Sequence, residues 1–242
     1  MAITFSELSK KGRLGNILFQ AAATIALALR NNDSYQFPKI WTDRKYFNIP
    51  EDKFVDKLFF SQTYNEPNFH YNNIIYKPNL NISGYLQSYL YFEDFKDEIK
   101  KLLTPNVKVE KQEYTSIHIR RTDYLIHKDC YNILNRDNYY NNAIIKSNGK
   151  RFLVFSDDIR WAKENFTGNE FDFAEGNNAV NDLSLMLNCS GGNIIANSSF
   201  SWWGAYLNNN FGPVIYPSTW FGPKLAPTHN TKDLCPIDWI KV

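Results

Sequence analysis

From about residue 106 onward, short strand-like runs alternate with helix-like stretches, and this alternation limits the fold more than any other feature of the sequence. The strand-like "YTSIHIR" (114–120) precedes helix-like "RDNYYNNAIIKS" (136–147), and "RFLVFS" (151–156) precedes "DIRWAKENF" (158–166). A short "FDFAE" (171–175) precedes "VNDLSLMLNC" (180–189), "NIIAN" (193–197) precedes "FSWWGAYLNNN" (200–210), and "PVIYP" (213–217) closes the series. Repeated strand–helix units in this order predict right-handed βαβ crossovers and a parallel sheet covered by helices on both faces. Residues 106–242 are therefore expected to form a Rossmann-like domain, divided from residues 1–105 near Thr104-Pro105.

The amino-terminal part has a different texture. "NILFQAAATIALALRNN" (16–32) reads as a helix, with Leu18, Ala22, Ile25 and Leu29 on one face and Asn16 as its N-cap. Residues 35–80, with prolines at 38, 50, 67 and 78, read as irregular. "EDFKDEIKKLL" (93–103) reads as a second helix, acidic at its start and basic near its end, as the helix dipole favours.

At 242 residues the chain can bury a real core as one large or two small domains. Its net charge of +2 and lack of a basic block exclude a protein built chiefly to bind a nucleic-acid backbone. Cys130, Cys189 and Cys235 are odd in number and far apart, so a disulfide framework is not expected and a reducing compartment is. The apolar run "AAATIALAL" (21–29) is too short to span a bilayer. The expectation is a soluble cytoplasmic protein, compatible with peripheral attachment to a membrane-bound substrate.

Ligands of open parallel sheets bind beyond the carboxyl ends of the strands, and the unusual polar residues of this chain collect there. The first predicted strand ends in Arg120, Arg121 and Asp123, and the second in Ser156, Asp157 and Asp158. The third is followed by Glu175 and Asp182, and the fourth ends in Asn197, Ser198 and Ser199. Helix capping accounts for any one of these clusters. Four together, two arginines among them, point to a shared anionic ligand. Guanidinium forks match phosphate oxygens, serines at a helix start suit a second phosphate position, and carboxylates suit ribose hydroxyls or a guanine edge.

That combination describes a nucleoside diphosphate, although neither G-x-x-x-x-G-K-[ST] nor G-x-G-x-x-G occurs. The absence of D-x-D and of metal-ligand spacing among the four histidines leaves no metal site to expect. His118 also has a bland reading as a satisfied strand residue. "KKGRLGNILFQ" (10–20) sets Gly12 and Gly15 around Arg13 before a helix, which allows backbone to approach a ligand closely or serves only a tight turn.

In order along the chain, these segments resemble the α-1,2-fucosyltransferases of glycosyltransferase family 11. The resemblance is carried by "GRLGNILFQAAA" (12–23), "GYLQSYLYFED" (84–94), "SIHIRRTDY" (116–124), "FLVFSDDIRWAKENF" (152–166), "NDLSLMLNCSGGNIIANSSFSWWGAYLN" (181–208) and "DLCPIDWIKV" (233–242). It implies a GT-B-type fold of two Rossmann-like lobes with the donor site in the cleft. It also implies GDP-β-L-fucose as donor, a galactose-containing glycan as acceptor, and metal-independent transfer with inversion.

The resemblance assigns His118, Arg120, Arg121 and Asp123 to the GDP-fucose site. Ser156, Asp157 and Asp158 fall in a second donor motif, Asn197 to Ser199 in a third, and Gly12 to Asn16 in a loop facing the diphosphate–fucose end. The sequence departs from the family pattern at Ser190-Gly191-Gly192, where a histidine commonly follows the cysteine, and it is short for the family, with a lean first lobe.

Breaking the C1–O bond builds negative charge on the leaving phosphate, which cations and helix N-termini stabilise when no metal does. Arg120, assisted by Arg121 or Arg13, is expected to supply the charge. Asp123 has two readings, as base for the acceptor hydroxyl or as a partner that holds an arginine. Fucosyl transfer with another linkage is the nearest rival activity, and a non-catalytic carbohydrate-binding protein the rival class. Trp202 and Trp203 read as packing residues and not as a sugar platform.

Overall fold

The computed structural model describes residues 1–210 and 212–242. Two compact units divide the chain, one of Met1–Asn106 with His229–Pro236 and the other of Val107–Thr228 with Ile237–Val242.

The first unit contains β1 (Ala2–Thr4), α1 (Leu14–Arg30), β2 (Ser34–Pro38), β3 (Phe54–Val55), β4 (Gln62–Asn65), β5 (Leu80–Ser83) and α2 (Lys96–Leu103). Among the described residues its strands form one five-stranded sheet in the order β3-β2-β1-β5-β4, and every pairing is parallel. The span 35–80 is therefore not irregular, as the sequence suggested. Its strands are two to five residues long, and β4 alternates half-buried with exposed residues, so none carries the apolar run by which a buried strand is read.

Helix α1 begins two residues earlier than its sequence pattern implies. Arg13 takes the N-cap place without a side-chain cap bond, and the backbone N–H groups of Asn16 and Ile17 donate to the Arg13 carbonyl. Asn16 is therefore not the N-cap but lies in the first turn, where its side-chain oxygen accepts from Gln87 Nε2 at 2.8 Å. Ala21, Ala22, Ala23, Ala26 and Ala28 are all buried, small enough to let the helix lie close on the sheet. Its last turn is held by Arg30, whose Nε donates to Asp94 at 2.8 Å.

The second unit runs β6 (Thr115–Ile119), α3 (Thr122–Ile126), α4 (Asn141–Ser147), β7 (Phe152–Ser156), α5 (Ile159–Asn165), β8 (Phe171–Phe173), α6 (Ala179–Leu187), β9 (Asn193–Ile194), α7 (Ser199–Tyr206), β10 (Val214–Tyr216) and β11 (Ile240–Lys241). Among the described residues these strands form one six-stranded sheet, β11-β10-β9-β6-β7-β8, again parallel throughout. The sequence stopped this series at 217; Ile240–Lys241 adds one more strand beside β10.

Alternate residues of the central strands feed opposite faces. Ile117, Ile119 and Val154 join Tyr140, Ala143 and Phe166 in one apolar cluster, while Leu153 and Phe155 pack with Met186 and Cys189 in another. β7 is thus apolar on both sides, as a parallel strand covered by helices requires, whereas β6 alternates Ile117 and Ile119 with the buried polar residues Ser116 and His118. Trp202 and Trp203 are fully buried, and Trp202 stacks on Tyr206 at 4.7 Å. They are core residues. Each unit is thus a parallel sheet flanked by helices, the two-part α/β organisation of a GT-B-like fold. No described helix is long and apolar enough to cross a membrane.

Candidate functional site

In chain order the second unit's strands lie as third, second, first, fourth, fifth and sixth across the sheet. Connections leave in opposite directions on either side of β6 and β9, and the crevice beyond the carboxyl ends of such a pair is where doubly wound sheets take ligands. Arg120 follows β6 directly, and Asn197 lies three residues after β9.

At this end of the sheet the acidic and basic residues form one network. Arg120 pairs through Nη2 with Asp123 and through Nη1 with Asp157 at 2.6 Å. Asp157, just past β7, also accepts from the backbone N–H of Arg121 at 2.9 Å and from the Thr122 hydroxyl at 2.5 Å. One carboxylate thereby fixes the turn from β6 into α3. Arg121 donates from Nε to Asp158 at 3.3 Å, and its guanidinium carbon lies 3.8 Å from the Trp161 ring centre.

The two arginines differ in what remains free. Two carboxylates hold the Arg120 fork, and its side chain is only 11% exposed. Arg121 engages Asp158 through Nε, which leaves its two Nη groups without an acceptor among the described residues. Three carboxylates thus meet two guanidiniums here, and the open fork belongs to Arg121.

The neighbouring candidates are tied in by local bonds. Ser156 Oγ accepts from the backbone N–H of Asp158 at 3.0 Å, and Asp158 caps α5 by accepting from the Trp161 N–H at 3.2 Å. Ser198 is the N-cap of α7, accepting from Phe200 N–H, and Ser199 opens that helix. Asn197 is buried and donates to the carbonyls of Asn132 at 2.9 Å and Trp220 at 2.7 Å. Its own carbonyl accepts from Tyr124 Oη at 2.8 Å, and the Tyr124 ring lies under Arg120 at 5.6 Å. Asn197 therefore joins the arginine network through Tyr124.

Other candidates stand apart. His118 points to the α7 side of the sheet, is 6% exposed, and shares a 2.8 Å hydrogen bond with Ser201 Oγ. Asp182 lies in the first turn of α6, accepts from Asn177 Nδ2 at 3.0 Å, and has its carboxyl pushed up by burial. No bond links it to the arginine network among the described residues. Gly12, Arg13, Gly15 and Asn16 belong to the first unit. Gly12 has φ +84, and a side chain there would collide with Asn16, so this glycine serves both backbone and packing.

Sequence reasoning passed over Tyr124 and Trp161. Both lie one helical turn from an arginine or its carboxylate partner, and that spacing was the available signal. Among the described residues no three His, Cys, Asp or Glu side chains are grouped so as to hold a metal ion.

Comparison with known proteins places the chain. It is 34% identical over 216 residues to an alpha-1,2-colitosyltransferase of Escherichia coli, covering 80% of this chain and 72% of that protein. It is 34% identical over 145 residues to the O-antigen biosynthesis glycosyltransferase WbnK of Escherichia coli, covering 55% of this chain and 46% of that protein. It is 24% identical to the galactoside 2-alpha-L-fucosyltransferase Sec1 of Mus musculus, covering 90% of this chain and 68% of that protein. Residues 24–242 match the model of glycosyl transferase family 11. With its match running over most of the sequence, the chain belongs to glycosyltransferase family 11.

Proposed function

We propose that this glycosyltransferase moves L-fucose from GDP-β-L-fucose to the 2-hydroxyl of a galactoside, with inversion at C1 and without a metal ion. The observation that carries the reading is the arginine–carboxylate network beyond β6 and β7, next to the point where strand order reverses. The α-1,2 linkage draws further support from relatives named as an alpha-1,2-colitosyltransferase and a galactoside 2-alpha-L-fucosyltransferase.

A diphosphate needs cations. Arg121 is suited to meet it, because its Nη groups have no acceptor among the described residues and Trp161 holds its plane. Arg120 then keeps the β6–α3 turn in shape, and Asp123 holds Arg120. This moves first claim on the phosphate from Arg120 to Arg121. The Ser198-capped start of α7 offers backbone N–H groups to a second phosphate oxygen. Loss of such a donor removes on the order of 3 kcal/mol of transition-state stabilisation.

The test is incubation of the purified chain with GDP-fucose and a panel of β-galactosides in a chelator, with the product linkage read by NMR. A fucosyl group α-linked to O2 of galactose is expected. Transfer only after metal is restored, or to another hydroxyl, overturns that part of the reading. Colitose is the 3-deoxy counterpart of L-fucose, so a parallel assay with the 3-deoxy donor decides which sugar the chain prefers.

A further inference from the structure

Helix α4 is preceded by a π-helical turn, Arg136–Tyr140, in which the Tyr140 N–H reaches the Asn135 carbonyl at 3.3 Å. Turns of this kind are rare and recur at functional sites. This one stands beside the carboxyl end of β10, where the chain leaves the sheet as Pro217-Ser218-Thr219. Between the two lies a cup of about 260 Å³. All of its lining residues belong to the second unit.

Both sides of the cup are held in place. On the helical side Tyr139 Oη donates to the Ile195 carbonyl at 2.5 Å and lies 3.2 Å from that of Ile215, which pins the turn to the sheet. On the β10 side the Ser218 N–H donates to the Val242 carbonyl at 2.6 Å, and Asn132 Nδ2 donates to the Thr219 carbonyl at 3.2 Å. Asn197 steadies this side further through the carbonyls of Asn132 and Trp220.

The polar side chains of the lining are left over from that frame. Asn138 and Asn142 stand one helical turn apart and are exposed, as are Ser218 and Thr219 on the β10 side. Among the described residues none of these four side chains has a hydrogen-bond partner, although the Asn138 N–H is capped by Asn135. Leu134, Tyr139 and Pro217 are buried and supply apolar lining.

These features define the occupant. No charged side chain lines the cup, so nothing in the lining answers a phosphate, a carboxylate or a metal ion. An amide offers an acceptor and two donors, and a hydroxyl offers both roles at once. A sugar carries hydroxyls that donate and accept around a ring with apolar C–H faces, and so matches both kinds of lining. Volume decides the size. Pockets for drug-sized ligands run from about 300 to about 1,000 Å³, so this smaller cup suits a lone sugar ring and not a whole sugar nucleotide.

We propose that the cup is a binding site for a neutral sugar unit of a glycan, held by Asn138 and Asn142 from the helical side and by Ser218 and Thr219 from the β10 side. It is separate from the arginine network, none of whose residues lines it. It also goes beyond the reaction proposed above, since it needs neither donor nor transfer.

The experiment follows the side-chain NH2 signals of Asn138 and Asn142 by NMR in the isotope-labelled chain, each assigned by its loss in Asn138→Ala or Asn142→Ala. The probes are the methyl pyranosides of β-galactose, β-glucose, α-mannose and α-L-fucose, with guanosine and inorganic phosphate as contrasting arms. At least one glycoside should shift both pairs of signals saturably. Asn142→Ala should weaken that glycoside's hold, read at Asn138, by about threefold to tenfold, as loss of one hydrogen bond does. Its melting temperature should stay unchanged, because the residue is exposed. A cup that ignores every glycoside overturns the proposal, as does one that saturates only with guanosine or phosphate. So does a glycoside that shifts Asn138 with the same affinity in Asn142→Ala as in wild type.

Discussion

The guanidinium carbon of Arg121 lies 3.8 Å from the ring centre of Trp161, one turn into the helix that Asp158 caps. Stack, cap and ion pair share two helix residues, so a change in one of them reaches the open fork of Arg121.

Replacing Trp161 with leucine keeps apolar cover but removes the flat partner. A stacked guanidinium gains about 0.5–2 kcal/mol from such a ring. Calorimetry should show GDP binding several-fold more weakly to Trp161→Leu, with the melting temperature little changed.

Asp157 and Asp123 both hold Arg120, yet they should differ in weight. The Asp157 side chain is 18% exposed and also accepts from the backbone at Arg121, whereas Asp123 is 39% exposed. Asp157→Asn should lose about 2 kcal/mol in urea unfolding, as for a hydrogen bond to a charged group. Asp123→Asn should lose less than about 1 kcal/mol, as for an exposed pair.

Glu66, the first residue past β4, should set a pH dependence of stability. Burial lifts its folded-state carboxyl to about 7 against an ordinary 4.5, although it accepts from the backbone N–H groups of Leu86 and Tyr85. The folded state therefore holds the proton more tightly than the unfolded one. Its favourable contribution is fully present below the unfolded value and is lost as pH rises through about 7. Glutamine cannot ionise. The stability of Glu66→Gln relative to wild type should therefore grow by about 2 kcal/mol between about pH 5 and about pH 8. Urea midpoints at the two pH values measure it, and a gap that does not widen shows a carboxylate at home in its charged form.

Cys189 is buried and its thiol is pushed up to about 12, while Cys130 and Cys235 are partly exposed. Since the thiolate is the reactive form, a thiol reagent at about pH 8 should label Cys130 and Cys235 in the native protein. Cys189 should react only after unfolding. Mass spectrometry of digested samples identifies the labelled positions.

The second unit was largely legible because its strands carry buried apolar residues in short runs that alternate with helices, as at "RFLVFS" (151–156) before "DIRWAKENF" (158–166). Even there, Arg121 and Asp123 were read as part of a strand end, and they are the N-cap and a first-turn residue of α3. The first unit was opaque for a physical reason. β4 is "QTYN" at the sheet edge, half exposed and nearly without aliphatic side chains, and its burial comes from neighbours far away in sequence. The arginines could be found because two adjacent charges at the end of an apolar run are conspicuous. The cup beside β10 could not, since its amides and hydroxyls are commonplace residues brought together from places as far apart in sequence as Asn138 and Ser218.

Residues His229–Pro236 belong to the first unit, where the Asp233 side chain accepts from Tyr71 N–H at 3.0 Å and its carbonyl from Ser88 Oγ at 2.7 Å. During synthesis the amino-terminal half leaves the ribosome long before this segment does. Its sheet can pair early, but the stretches around Tyr71 and Ser88 must wait for their partner until the second unit has almost entirely emerged. The usual order, in which an amino-terminal domain finishes first, is closed to this chain. A fragment ending at Asn106 lacks a piece of its own domain, so cutting the gene at the obvious boundary should yield an incomplete half.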